Sequence, residues 1–368
     1  TPPVTNTRIP YGHQSIDDDD LAAVRRVLLG DWLTQGPSVP EFETALAGSV
    51  GSKFAVAFSS GTAALHGAAF AGGISPGEAI VTTPLTFIAS LNCIRYMGAR
   101  PTLVDIDPAT LNIDLGRVPD DISGLVAVHY AGLPIDLRKL RSRPRIVIED
   151  ACHSLGASTP SGPVGNCALS DMTAFSFHPV KPITTGEGGV VTTNSPELAE
   201  SLKRFRNHGI TPQPQEAAWR YDVTELGYNY RMTDIQGALG LTQLRKLDGF
   251  IERRNLIADR YRALLADLPV VLPPQAEKGF RHGYHLFPVR VDNRRQVFDG
   301  LRAEGIGVQV HYVPAHHHTI NQDLGFRPGD LPVCDAAYER LISLPIFPAL
   351  TDRQQDRVVN ALRAILVS

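Results

Sequence analysis

The chain has 368 residues, 43% of them apolar, which suffices to bury one large core, or a large and a small one. A formal net charge of −3, with both signs interspersed, argues against nucleic acid or a polybasic membrane contact as its main business. No apolar run approaches the length that spans a bilayer, and the opening TPPVTNTRIPYG lacks the charged and apolar regions of a secretory signal.

Residues 17–20 are four aspartates, which suit the positive end of a helix and are expected to open one. KFAVAF (residues 53–58) reads as a strand, and SSGTAALHGAAFAGG after it as a tight turn into an alanine-rich helix. AIVTTP leads into TFIASLNCIRYMG, and RPTLVDID, GLVAVHYAG, RIVIED and MTAFSF follow as further apolar strands. Another strand is expected from Gly189. Near-continuous apolar strands separated by helices predict a mostly parallel sheet covered on both faces.

Residues 231–268 carry one long, interruptible helical pattern. Beyond it, YHLFPVRV reads as a strand, RRQVFDGLRAEG as a helix and VQVHYVP as a strand. The expected fold class is α/β, with a large domain over residues 1–248 and a smaller α+β domain over residues 249–368. Cys93, Cys152, Cys167 and Cys334 are scattered, without a CxxC pair or a zinc-like histidine spacing, so reduced thiols in a cytoplasmic protein are expected.

Ligands of open parallel sheets sit beyond the carboxyl ends of the strands, and three such ends are chemically rich. FSSGT places Ser60, Gly61 and Thr62 at a helix start, where backbone N–H groups suit an anion such as phosphate. VIEDACHS ends with Glu149 and Asp150 and continues to His153. FSFHPVK supplies Ser176, His178 and Lys181, the lysine fenced by Pro179 and Pro182, which stiffen the chain on either side. Taken singly, SSGT is a helix cap, Asp150 a structural carboxylate and Lys181 a solvated charge. Together they are the parts a pyridoxal-phosphate enzyme needs: an anion seat, an acid for the pyridine nitrogen and a Schiff-base lysine.

At this point the chain resembles the DegT/DnrJ/EryC1/StrS sugar aminotransferases, with the type I fold of pyridoxal-phosphate (PLP) enzymes. Within them it is similar to the branch that aminates C4 of a keto sugar in pseudaminic acid biosynthesis. The likeness runs from IPYGHQSID and LTQGPSVPEFE through SSGTAAL, TPLTFIASLN, VHYAGLPID and EDACHSLGA. It continues over FSFHPVKPITTGEGGVVTT, LGYNYRMTDIQGALG and VHYVPAHHH.

The resemblance implies that Lys181 holds the cofactor and then serves as the base, that Asp150 pairs with the pyridine nitrogen, and that His153 lies near the phenolic oxygen. Phe87 would stack on the ring, while Ser60, Gly61, Thr62 and Ser176 hold the phosphate. Asn229, in GYNYR, would reach the phosphate of the other subunit of a homodimer; its ordinary alternative is a cap for the helix starting near Thr233. Thr34, Gln35, Arg231, His311 and Tyr312 match positions that border the substrate, although VQVHY also suits a strand in which His311 is merely packed.

His316, His317 and His318 depart from the family's aromatic-rich continuation; no carboxylate cluster lies nearby in sequence, and no metal is expected. The implied reaction moves nitrogen from an amino acid, L-glutamate by analogy, through the PLP and pyridoxamine-phosphate (PMP) forms. The acceptor would be the keto carbon of a nucleotide-linked deoxysugar such as UDP-2-acetamido-2,6-dideoxy-hexos-4-ulose. Two alternatives stand beside it: a PMP-dependent keto-sugar dehydratase, against which Lys181 speaks, and a catalytically silent ligand-binding member.

Overall fold

A computed structural model describes residues 8–327 and 329–367. Helices α1 (Asp18–Leu28) and α2 (Ser38–Val50) precede strand β1 (Phe54–Phe58), which runs into α3 (Gly61–Ala71). β2 (Ala79–Thr82), α4 (Ala89–Tyr96), β3 (Arg100–Leu103), β4 (Gly124–Val128) and β5 (Ile146–Asp150) follow. A two-rung ladder of β6 (Ser158–Thr159) and β7 (Gly162–Pro163) leads to β8 (Met172–Ser176), β9 (Gly189–Thr193) and α5 (Pro196–Phe205). The expected acidic helix start is present, with Asp17 capping α1 through the backbone N–H of Asp20.

The seven-stranded sheet has the order β1-β9-β8-β5-β4-β2-β3. β9 alone runs against its neighbours, pairing antiparallel with both β1 and β8, while the other pairings are parallel. β1, β5 and β8 therefore point the same way and end on one edge. Side chains alternate across each strand, so Val56 and Phe58 pack with α3, α4 and α5 on one face. Ala55 and Ala57 pack with α2 on the other. Helices on both faces explain why these strands read as unbroken apolar runs.

A small hairpin of β10 (Ile210–Pro212) and β11 (Tyr221–Val223) precedes α6 (Asp234–Arg245) and α7 (Leu247–Leu264). The long helical pattern is thus broken at Lys246, whose ammonium lies 2.8 Å from Asp17 and 2.6 Å from buried Asp20. The chain continues through β12 (Val270–Val271), β13 (Phe287–Val291), α8 (Arg294–Ala303), α9 (Pro332–Tyr338), β14 (Leu341–Leu344) and α10 (Asp352–Val367). β12, β13 and β14 form their own antiparallel sheet over a core that includes Ile257, Phe287, Leu301 and Val358. Ile9, from the other end of the chain, is buried in the same core.

One expected strand is absent. VQVHYVP contributes only an isolated bridge between Gln309 and Ser343. His311 Nδ1 lies 2.9 Å from Ser343 Oγ, and Tyr130 donates a 2.6 Å bond to the His311 carbonyl. The segment is therefore held by side chains as well as by a ladder rung.

Candidate active site

The three strand ends converge as their common direction requires. A cavity of about 470 Å³ opens beyond β1, β5 and β8, and Ser60, Gly61, Thr62, Asp150, His153, Ser176 and Lys181 all line it. Phe87, His311 and Tyr312 line it as well.

The anion seat is built from the first turn of α3. Ser60 caps the helix, its Oγ accepting the Ala63 N–H at 3.1 Å. The N–H groups of Gly61 and Thr62 belong to the first turn, where no helical carbonyl is available to them. A Cβ on Gly61 would come within 2.7 Å of Ser176 Cβ, so glycine lets the helix start close onto the end of β8.

Asp150 is buried at the tip of β5 with both carboxylate oxygens engaged. Ser90 donates to Oδ2 at 2.6 Å and the Cys152 N–H to Oδ1 at 3.2 Å. Its neighbour Glu149 faces elsewhere, into a buried pair with His129 at 2.7 Å.

Lys181 lies in the loop between β8 and β9. Phe177 N–H bonds Gly188 carbonyl at 2.9 Å, and Thr185 N–H bonds Phe177 carbonyl at 3.0 Å, closing the loop at its base. Burial holds the Lys181 ammonium below the usual lysine range, partly offset by Cys152 and Asp150. Burial, then the charge of Lys181, pushes His153 well below the usual histidine value. The His153 imidazole is thus neutral, with Nε2 2.9 Å from the Tyr312 hydroxyl.

The lining residues that the sequence reading did not single out include Tyr11, Thr86, Glu187 and His285. His285 is buried, and its ring centroid lies 4.5 Å from that of His153. Tyr11 lies in IPYGHQSID and His285 in YHLFPVRV, but neither stretch assigned its residue to the cavity; the fold brings both there.

The other expected residues lie elsewhere in the same chain. Gln35 and Arg231 line a separate cleft of about 400 Å³, and Arg231 Nη1 donates to Asn207 Oδ1 at 2.7 Å. Thr34 bridges to Thr233, beside the start of α6. Asn229 is exposed and outside the Lys181 cavity, in a bridge with Asn207. It does not cap α6, because Thr233 does so in a full capping box with Gln236.

The fold also brings one carboxylate to the histidine run. Asp335 of α9 brings Oδ1 to 2.9 Å from His316 Nε2 and 2.8 Å from His317 Nε2, while Gly329 N–H donates to Oδ2 at 2.6 Å. Sequence distance concealed this contact.

The cavity tests well against pyridoxal phosphate. A helix start with hydroxyls fits a phosphate, a buried carboxylate fits a protonated pyridine, and a lysine of lowered basicity suits Schiff-base chemistry.

Comparisons with known proteins agree with that fit. A model of the DegT/DnrJ/EryC1/StrS aminotransferase family matches residues 14–363. The chain is 35% identical over 382 aligned residues to the spore coat polysaccharide biosynthesis protein SpsC of Bacillus subtilis, with 98% of each covered. The protein Spr1654 of Streptococcus pneumoniae, in its PMP form, superposes with a TM-score of 0.92 at 27% identity over 98% of this chain and 99% of that one. The same protein has been solved in a PLP form. PseC of Helicobacter pylori, an aminotransferase of pseudaminic acid biosynthesis, gives a TM-score of 0.89 at 29% identity over 98% and 99% of the two chains. By sequence and by fold, the chain belongs to the DegT/DnrJ/EryC1/StrS aminotransferase family.

Proposed function

We propose that the protein is a PLP-dependent aminotransferase that moves nitrogen from an amino acid, L-glutamate, to C4 of a UDP-linked 4-keto deoxysugar. The observation that carries this reading is the meeting of Lys181, Asp150 and the α3 start around one cavity. Bound there, the cofactor supplies an electrophilic carbonyl carbon and a ring that takes up electrons released on deprotonation.

The residues divide the work. The Gly61 and Thr62 N–H groups and the Ser60, Thr62 and Ser176 hydroxyls hold the phosphate. Asp150, fixed by Ser90 and Cys152, keeps a proton on the pyridine nitrogen. Phe87 would pack on the ring and His153 would lie near the phenolic oxygen. Lys181 Nζ would hold the cofactor covalently and, when free, serve as the base that takes up and returns the proton. A depressed basicity leaves more of its amine free to accept that proton near neutrality.

The placement of Asn229, Thr34, Gln35 and Arg231 outside the cavity supports a homodimer in which each chain completes its partner's site. A two-fold contact repeats itself, so both sites would be composite. The break at Lys246 and the separate core around Phe287 support a large domain through residue 248 and a small one after it. Four unpaired cysteines suit a cytoplasmic enzyme. The likeness to PseC, an aminotransferase of pseudaminic acid biosynthesis, supports a sugar acceptor, and C4 and the UDP carrier follow from the resemblance of the sequence to that branch.

The test is an assay of UDP-, dTDP- and GDP-linked keto sugars with glutamate, following the aminated sugar by mass. Amination of the UDP-linked 4-keto sugar is expected; release of a dehydrated sugar, or no product from any acceptor, would overturn the reading.

A further inference from the structure

The N-terminal arm, within the IPYGHQSID stretch, reaches the cavity through contacts with residues far along the chain. Ile9 is bonded on both sides, its N–H to the Gly305 carbonyl at 2.9 Å and its carbonyl to the Gly307 N–H at 2.6 Å. The Tyr11 carbonyl accepts the Ile346 N–H at 3.1 Å. Gly12 then passes against Val180, where an added Cβ would sit 3.3 Å from the Val180 Cβ. The arm is thus strapped across the C-terminal core and delivers Tyr11 beside the residue that precedes Lys181.

Tyr11 is half-buried and lines the cavity, its ring centroid 5.3 Å from that of His311. Its hydroxyl has no hydrogen-bond partner among the described residues. The neighbouring phenols differ: Tyr312 meets His153 at 2.9 Å, and Tyr130 donates to the His311 carbonyl at 2.6 Å. A partly buried phenol normally finds a partner, so one left over at a cavity wall is placed to meet a ligand.

The chemistry of that wall indicates which ligand. Within one chain, Lys181 is the only lysine or arginine among the described residues lining the cavity, where Glu187 adds a carboxylate; Arg231, proposed above to serve the partner's site, lies outside it. Tyr11, Tyr312 and the imidazoles of His311 and His285 offer neutral donors and acceptors beside aromatic faces. Neutral hydrogen-bonding groups match sugar hydroxyls and the apolar face of a pyranose, whereas a carboxylate gains most from a charged donor.

We propose that Tyr11 is a specificity-determining residue for the acceptor, its phenol hydrogen-bonding an oxygen of the sugar ring or its substituents, and that it contributes little to the amino donor. This rests on the amino-transfer reading above and adds to it a residue and a division between the two half-reactions.

The experiment measures the two half-reactions separately with holoenzyme, wild type and Tyr11→Phe, using glutamate in one and a UDP-linked 4-keto-6-deoxy-N-acetyl sugar in the other. Loss of a substrate-directed hydroxyl is expected to lower kcat/KM for the sugar about tenfold or more, with the glutamate step within about twofold of wild type. The phenylalanine keeps the ring, and an unchanged melting temperature would exclude a folding effect. Equal losses in both half-reactions, or no loss in either, would overturn the assignment of Tyr11 while leaving the transaminase reading intact. A wild-type enzyme that accepts nitrogen from glutamate but passes it to no keto sugar would overturn both.

Discussion

Ser90 Oγ donates a 2.6 Å hydrogen bond to Asp150 Oδ2, and both side chains are buried. Thr86 Oγ1 lies 2.7 Å behind the serine hydroxyl, so a short relay from the start of α4 fixes one carboxylate oxygen while the Cys152 N–H fixes the other. The carboxylate's direction is therefore set by the fold before any ligand arrives.

Two variants separate charge from orientation. Asp150→Asn should retain the fold and slow the glutamate half-reaction by about a hundredfold or more, since the pyridine proton loses its counter-charge. Ser90→Ala leaves the charge and removes one support, with a smaller loss of about tenfold expected. Rapid-mixing kinetics of the two variants provide the check, and a near-wild-type rate in Asp150→Asn would mean the carboxylate has another role.

Lys181→Ala should abolish turnover and the visible absorbance of the covalently held cofactor, because no other lysine lines the cavity among the described residues. Absorbance and mass after borohydride reduction would reveal this: wild type should gain the cofactor's mass, the variant should not. Multiple turnover by the variant would sink the assignment.

Acid stability should report the buried histidines. Burial lowers His66 to about 4, His282 to about 3 and His311 to about 4. Unfolded histidines take up protons below about 6.5, whereas these remain neutral in the folded chain, so the unfolded state binds more protons in that window. Their contribution is fully present above pH 6.5 and is lost as pH falls towards 4 and then 3. His66 packs among Tyr96, Phe205, Tyr228 and Tyr230, so His66→Phe keeps an aromatic ring there. Urea midpoints between pH 7 and 5 should fall less steeply in His66→Phe than in wild type; equal slopes would refute the effect.

Subunit mixing tests the composite site. Combine Lys181→Ala with Asn229→Asp, whose added carboxylate should repel a phosphate. If Asn229 serves the partner, a mixed dimer has one site with both lesions and one with neither, and activity returns to about half its sites. If Asn229 serves only its own chain, no site is intact. No recovery after confirmed exchange, or a monomer at assay concentration, would overturn the composite site.

Much of this site was legible because its parts end strands. Ser60, Asp150 and Ser176 each follow an apolar run of the right length, and a parallel sheet brings such ends to one edge. What was hidden depends on contacts distant in sequence. Tyr11 reaches the cavity only because Ile9 is bonded to Gly305 and Gly307, and Asp335 meets the histidines from another helix. VQVHY misled for a related reason: its alternation suits a strand, but Tyr130 and Ser343 bond His311 and only Gln309 makes a ladder contact. The break at Lys246 falls in a pattern read as interruptible, two residues from the boundary placed at 248; what the pattern did not show is that the lysine answers to Asp17 and Asp20 near the other end of the chain.

The reversed direction of β9 makes residues 177–188 a closed ring rather than a free loop. β8 and β9 pair from Ser176 with Gly189 onward, and the Phe177–Gly188 bond continues the ladder into the ring. At Gly189 even a methyl group would lie 2.3 Å from the Ser60 carbonyl oxygen, so the ring is joined to the anion seat as well. Its circumference is therefore fixed, and a single inserted residue would have to bulge or unpair the ladder. Tyr11, Phe87 and Tyr312 lie outside that ring, on other segments of the cavity wall. The molecule thus separates a closed frame around the amine from a rim whose length that frame does not set.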